Sequence, residues 1–323
     1  MFTQKSHRLK HLVHDKPSKK RRSDRSSSRD ILSFGLSCAG FGEERQKCTE
    51  ALSEKRFRAH YGVGPRAIEA LIKDMKRLKP GKNLDVESVL MGMCWLTLYE
   101  TEEVMAGRWG YGEKHIREIV REYVQWIGAL KEFKITFKGL DPNCKYAPID
   151  DTHVRVEEFK CDPSSKWYSH KFNGPGLGFE AVCDPTNKGR MLWAEGPHPA
   201  AMHDITTFRG GKKNQKKNWK KDSLYHRLPD TLMLVGDSAY SGQTDKITTT
   251  MDGHAPLTKK LFARMKSMQE SCFKRLKQFK VLGYTFRHGN GTEDKMEKMR
   301  RSFNAVAVLT QYDIDNGHPL FEV

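Results

Sequence analysis

Three acidic residues lie far apart in the chain, each where metal-assisted phosphodiester chemistry would want one. Asp150 ends the apolar lead-in Ala147-Pro148-Ile149, and Asp237 closes the run Leu232-Met233-Leu234-Val235-Gly236. Glu270 is the only acid between Asp252 and Glu293, in a stretch crowded with Lys and Arg. Carboxylates are hard oxygen donors suited to Mg²⁺ or Mn²⁺. Two such ions about 3.5–4 Å apart can clamp the attacking and leaving oxygens of an in-line displacement at phosphorus. The trio can do this only if its carboxylates meet in space.

Each acid also has an ordinary reading. Aspartate is depleted in strands, and an ionised side chain at a buried strand end must be paired or bind a cation. Asp237-Ser238-Ala239-Tyr240 fits a turn or helix-capping aspartate equally well. Asp150 and Asp151 are neighbours, and alternate strand residues face opposite sides, so only one can point at a shared centre. For Glu270 the spacing of Met265, Met268, Cys272, Leu276 and Phe279 predicts a buried helical stripe. Glu270 falls off that stripe, beside Lys266, Lys274 and Lys277. Those lysines either bracket a surface glutamate or hold phosphates next to a metal-binding acid.

The elements that must position these residues change character along the chain. Residues 1–30 hold ten Lys/Arg against three Asp and little apolar surface, which predicts a disordered basic tail. Within it, Lys19-Lys20-Arg21-Arg22 is either a nuclear import signal or a solvated basic run. Residues 45–135 read as an all-helical DNA-binding or scaffold region. Ala67, Ile68, Leu71, Ile72 and Met75 recur at helical spacing, as do Val86, Val89, Leu90, Met93 and Leu96. Helices over 102–108 and 113–127, joined by Trp109-Gly110-Tyr111-Gly112, form either a plain packing pair or a helix-turn-helix. In the second case Lys114, His115, Arg117 and Arg121 would face DNA.

Past Gly139-Leu140-Asp141-Pro142 short β-prone runs appear at 146–156, 167–172, 178–184, 190–194 and 232–237, with a hairpin turn over 184–189. Helices follow near 258–280 and 293–310. Strands followed by helices predict an α/β fold on a mixed sheet over 141–310, with 311–323 as a C-terminal tail. Lys212, Lys213, Lys216, Lys217, Lys220 and Lys221 surround Trp219 in an expected loop. There the lysines would track a phosphate backbone while the indole stacks on a base; a solvated loop is the alternative. His203-Asp204 precedes a short helix, with a structural or accessory role open.

Bulk composition agrees with an acidic partner. The 323 residues carry a formal charge of +17, which favours nucleic acid. No apolar stretch approaches the ~20 residues needed to span a bilayer, so no membrane partner is expected. The seven cysteines include no Cys-x-x-Cys pair, and His198 and His203 lack cysteine partners at zinc spacing. Gly174-Pro175-Gly176-Leu177-Gly178 lacks the spacing of a dinucleotide-binding loop.

Five segments in order carry a resemblance: 147–154, 202–208, 235–240, 270–277 and 303–309. With them the chain, from about residue 50 onward, resembles transposases of the PIF/Harbinger group, whose catalytic domain is RNase H-like with an Asp-Asp-Glu triad. The resemblance implies Asp150, Asp237 and Glu270 as catalytic, metal-binding acids, probing DNA through two Mg²⁺ or Mn²⁺ ions. It implies cutting and joining of transposon ends, nuclear residence and a Myb/SANT-like partner protein; further copies of the chain are also expected partners. Lys266, Lys274 and Lys277 would bind DNA beside the site. Where the family usually has a small residue this chain has Asp151, which would crowd the centre or turn to solvent. The competing expectations are a domesticated DNA- or chromatin-binding protein without turnover, and a basic RNA-binding protein.

Overall fold

The computed structural model describes residues 27–81, 84–160, 162–249 and 255–321. The Lys19–Arg22 cluster and the rest of residues 1–26 lie outside them. Ser27 caps the first helix, so residues 28–30, expected in the tail, are already helical.

Eight helices come first: α1 (Ser28–Cys38), α2 (Glu43–Gln46), α3 (Glu50–Tyr61), α4 (Pro65–Leu78), α5 (Val86–Leu98), α6 (Glu102–Trp109), α7 (Glu113–Ala129) and α8 (Lys131–Lys134). The apolar spacing works as expected. Ala67, Ile68, Leu71, Ile72 and Met75 form the buried face of α4, and Ile116, Val120, Tyr123 and Ile127 that of α7. α5 is buried nearly all round, as its uniformly apolar sequence requires.

The strands are β1 (Tyr146–Arg155), β2 (Tyr168–Ser169), β3 (Gly174–Cys183), β4 (Met191–Pro199), β5 (Met233–Gly236) and β6 (Ile247–Thr249). They form one mixed sheet of order β2-β3-β1-β5-β6, with β4 also on β3. β1, β3 and β4 are antiparallel; β5 and β6 run parallel to β1. The turn at 184–189 is the expected hairpin: Asp184 Oδ1 accepts from the Thr186 and Asn187 N–H groups. The strand expected from 178 starts earlier, at Gly174, as β3. β6 escaped the sequence reading because three residues beside polar threonines leave no period to detect.

Helices α9 (Asp204–Arg209) and α10 (Leu224–Arg227) flank one face of this mixed sheet. α11 (Pro256–Lys277), α12 (Lys280–Gly283) and α13 (Thr292–Asp315) complete the fold. On the first face Ile149, Val182, Leu192 and Leu234 pack with Phe208, Leu224 and Tyr240. The other face meets α11 and α13: Val235 packs with Phe262 and Met265, and Phe179 stacks on Phe303 at 4.1 Å.

Two domain expectations need correction. Residues 311–315 are no tail: α13 continues to Asp315 with Gln311, Tyr312, Asp313 and Ile314 buried. Their polar groups are satisfied inside; Met191 N–H donates to Gln311 Oε1 at 2.8 Å, and Arg58 and Arg275 both bind Asp313. Nor is the helical region a separate module. A single apolar core runs from Ile31 through α3–α7 to β3, α11 and α13. Among the described residues no helix is long and apolar enough to cross a membrane.

Candidate active site

Strand register decides which acids can meet. In the parallel pair β1–β5, Pro148 lies opposite Val235. Asp150 and Asp237 each follow two residues later, so both project to the same face, just beyond the paired stretch of strands about 4.8 Å apart. That face is the one α11 covers, through Val235, Phe262 and Met265. Two backbone N–H groups orient the pair. Asp151 N–H donates to Asp150 Oδ1 at 2.8 Å, and Ala239 N–H donates to Asp237 Oδ1 at 2.9 Å. Asp237 therefore caps the short 3-10 turn Ser238–Tyr240, as its ordinary reading required, while standing beside Asp150.

The charges interact. Burial raises the pKa of Asp150, and Asp237 and Asp151 push it the same way against the pull of the Asp151 N–H and Lys171. Asp204, in the first turn of α9, is pushed up to about 6 by burial and by Asp151, Asp237 and Asp150. His203 takes the capping position without a side-chain cap bond. Asp204 is thus not the helix cap, and its carboxyl lies within electrostatic reach of Asp151, Asp237 and Asp150. Desolvation and the ammonium of Lys171 hold Lys277 below the usual lysine range, opposed by Asp151 and Asp150.

Glu270 stands apart from this pair. It is exposed on α11 and is not among the charges that act on Asp150. Among the described residues no three His, Cys, Asp or Glu side chains converge to hold a metal. The helix does pass over the right place. Gln269 is buried, and its Nε2 donates to the carbonyl of Ala181, the residue paired with Asp150. The buried stripe is therefore Phe262, Met265, Gln269, Cys272, Phe273 and Leu276, with Met268 only half-buried and Phe279 beyond the helix end. Hydrophobic spacing missed Gln269 because it buries an amide against a carbonyl.

Asp151 neither crowds the centre nor turns to solvent. It faces the opposite side of β1 and is 2% exposed. His198 Nε2 lies 2.6 Å from its Oδ2, and His153 Nε2 lies 3.2 Å from its Oδ1. His153 Nδ1 in turn meets Ser169 Oγ at 2.6 Å. Gly178 makes this possible, since a Cβ there would come within 2.1 Å of the His198 ring. The alternation Asp151-Thr152-His153 signalled that two of these residues share a face; His198, on β4, had no local signal.

Of the expected DNA-contacting residues, Lys114, Arg117, Arg121, Lys212, Lys213, Lys216, Lys217, Lys266 and Lys274 are exposed. Arg117 is engaged by Glu102 of α6, its Nε 2.8 Å from that carboxylate. The lysine-rich segment is a 3-10 turn, Lys213–Asn218, rather than a loop. Trp219 cannot stack on a base there: it is buried, its Nε1 donates to Lys212 O at 2.7 Å, and it packs edge-on against Tyr225.

A family model described as DDE superfamily endonuclease matches residues 149–311, just over half of the chain. The chain belongs to the DDE superfamily endonucleases. The match begins one residue before Asp150 and takes in Asp237, Glu270 and most of α13. No curated protein matches this DDE superfamily member. Among solved structures, a chain in the crystal structure of a pre-cleavage Mos1 transpososome matches over 92% of this chain and 99% of its own. Identity is 11% and the TM-score 0.20.

Proposed function

We propose that this chain is a divalent-metal-dependent DNA endonuclease of the transposase kind, in the PIF/Harbinger group, that cuts and joins transposon ends. The reading rests above all on the side-by-side placement of Asp150 and Asp237, just beyond the paired stretch of two parallel strands, in a chain of this family. Burial and the charges of Asp237 and Asp151 raise the pKa of Asp150, which suits a cation there, and Mg²⁺ commonly uses only one or two carboxylates, with water and substrate phosphate as its other ligands. Asp150 and Asp237 would hold it, with Asp204 beside them and Glu270 as the third acid of the triad. A bound ion supplies Lewis-acid polarisation of the phosphate and acidifies water. The Asp151 and Ala239 N–H groups fix one oxygen of each aspartate, which leaves the other for ligation.

Exposed Lys266 and Lys274 on α11, Lys114 and Arg121 on α7, and the 212–217 lysines would neutralise DNA phosphates. Arg117 would have to leave Glu102 to join them. The reading brings with it nuclear residence, a Myb/SANT-like partner and assembly of several copies on DNA.

The test incubates the full chain with Mg²⁺ or Mn²⁺ and DNA bearing candidate terminal repeats, beside Asp237→Ala and Glu270→Ala. Metal-dependent nicks lost in both variants are expected. The exposure of Glu270 favours a second reading, a DNA- or chromatin-binding protein without turnover; binding without nicks under every condition would establish it. The lysine platform has its own check. Replacing Lys212, Lys213, Lys216 and Lys217 with Ala should weaken DNA binding and reduce its log–log salt slope by about 3 to 4. An unchanged slope removes the platform from the interface.

A further inference from the structure

Lys171 played no part in the sequence reading, yet its ammonium is built into the edge of the site. Its Nζ donates to Asp151 O at 2.6 Å. The N–H of the same residue donates to Asp150 Oδ1 at 2.8 Å. In an extended strand the N–H and C=O of one residue serve the same edge. Here that edge faces away from β3, because residues of the same parity further along, Arg155 and Glu157, bond to Phe286 rather than to β3. The Lys171 ammonium and the Asp150 carboxylate therefore sit side by side on the edge of β1, just beyond its pairing with β5.

The lysine is held from both ends. Its backbone N–H donates to Ser169 Oγ at 3.3 Å. Ser169 is fully buried and meets His153, which meets Asp151, which meets His198. This chain of contacts fixes the segment carrying Lys171 against the strand carrying Asp150. The ammonium rests on a carbonyl and forms no ion pair among the described residues, so its charge is not consumed by a carboxylate contact. One of its three donors is used.

The geometry points to Lys171 as a phosphate-binding residue, whose ammonium takes a non-bridging oxygen of the DNA phosphodiester presented to Asp150 and Asp237. The Asp151–His153–Ser169 chain is then its positioning device. This inference rests on the endonuclease reading above. A lysine suits the task as a point charge for phosphate, able to swing one donor to the substrate while another stays on the carbonyl.

The experiment compares full-length wild type, Lys171→Met, Lys171→Arg and Lys171→Gln. Mg²⁺-dependent nicking is followed alongside DNA binding in Ca²⁺ at several salt concentrations, and thermal unfolding. Lys171→Met is expected to lower kcat/KM by roughly tenfold to a hundredfold, the usual worth of a hydrogen bond to a charged group. It should also weaken Ca²⁺-supported binding and lower its salt slope by about 1. Lys171→Arg should restore part of both and Lys171→Gln neither. Rescue by Gln, which keeps a donor for the carbonyl without the charge, would reduce Lys171 to a structural role and overturn the proposal. If wild type gives no nicks with either metal, the endonuclease reading fails, and binding still decides: equal affinity and slope for wild type and Lys171→Met would sink the phosphate site as well.

Discussion

Asp151 carries a buried charge that two imidazoles share. Burial alone would raise its pKa, but the His153 and His198 contacts bring it down to about 2. His198 moves the other way: burial lowers it, and the hydrogen bond and charge of Asp151 outweigh that and raise it above 6.5. A depressed aspartate stabilises the fold above its unfolded pKa near 3.8 and stops doing so as pH falls through about 2. A raised histidine stabilises below 6.5, and that stability is lost as pH rises through its folded pKa. The pair therefore contributes fully from about pH 4 to 6.5. Melting temperatures should fall on both sides of that window, and His198→Gln should abolish the alkaline limb; an unchanged curve in the variant would refute the assignment. Asp151→Ala should cost about 3–5 kcal/mol in denaturant unfolding, the usual cost of stranding one member of a buried pair. Strand alternation made it legible that Asp150 and Asp151 part company. It could not say where Asp151 goes, because its second partner is 47 positions away and is brought across by the β3–β4 register.

At the scale of elements, α11 is the piece whose position matters most, since it carries Glu270 over the face that holds Asp150 and Asp237. Pro256 opens it, where the missing N–H costs nothing, and Lys274, Arg275 and Lys277 close it, favourably placed at the negative end of the helix dipole. Arg275 also leaves the helix to meet Asp313 of α13 at 3.0 Å, and Arg58 of α3 meets the same carboxylate at 2.9 Å. Three helices thus share one buried acid. Asp313→Ala should destabilise by up to about 3–5 kcal/mol, since it removes the buried carboxylate that Arg58, Arg275 and the Gly64 N–H share. Urea unfolding at neutral pH measures it, and a loss under about 1 kcal/mol would mean the clasp is ornamental. The helices themselves were legible from apolar spacing. What spacing could not reveal were the polar residues that go inside: Gln269, Gln311, Asp313 and the indole N–H of Trp219 each meet a specific partner distant in sequence or in the next turn.

For the molecule as a whole, the helical region and the sheet are one body. Lys131 of α8 pairs with Glu195 of β4, and Arg287 donates to the carbonyl of Tyr99 at 2.8 Å, on top of the shared apolar core. A fragment beginning at residue 136 would expose the faces of α13 and α12 that pack on α4, α5 and α7. It should fail to fold, whereas the full chain should unfold in a single calorimetric transition over the described body. A soluble fragment with native-like circular dichroism would show that the halves are independent after all. The sequence reading drew a boundary near 135–141 because composition changes there; composition records which elements follow, not which surfaces they share.

The missing methyl at Gly178 has a hereditary consequence. An acid cannot simply be written into the position after Asp150, for it needs an imidazole to answer it, and the ring needs an empty seat across the ladder. Asp151, His198 and Gly178 should therefore be inherited as a set, and any descendant that regains a side chain at 178 should be found to have surrendered the other two.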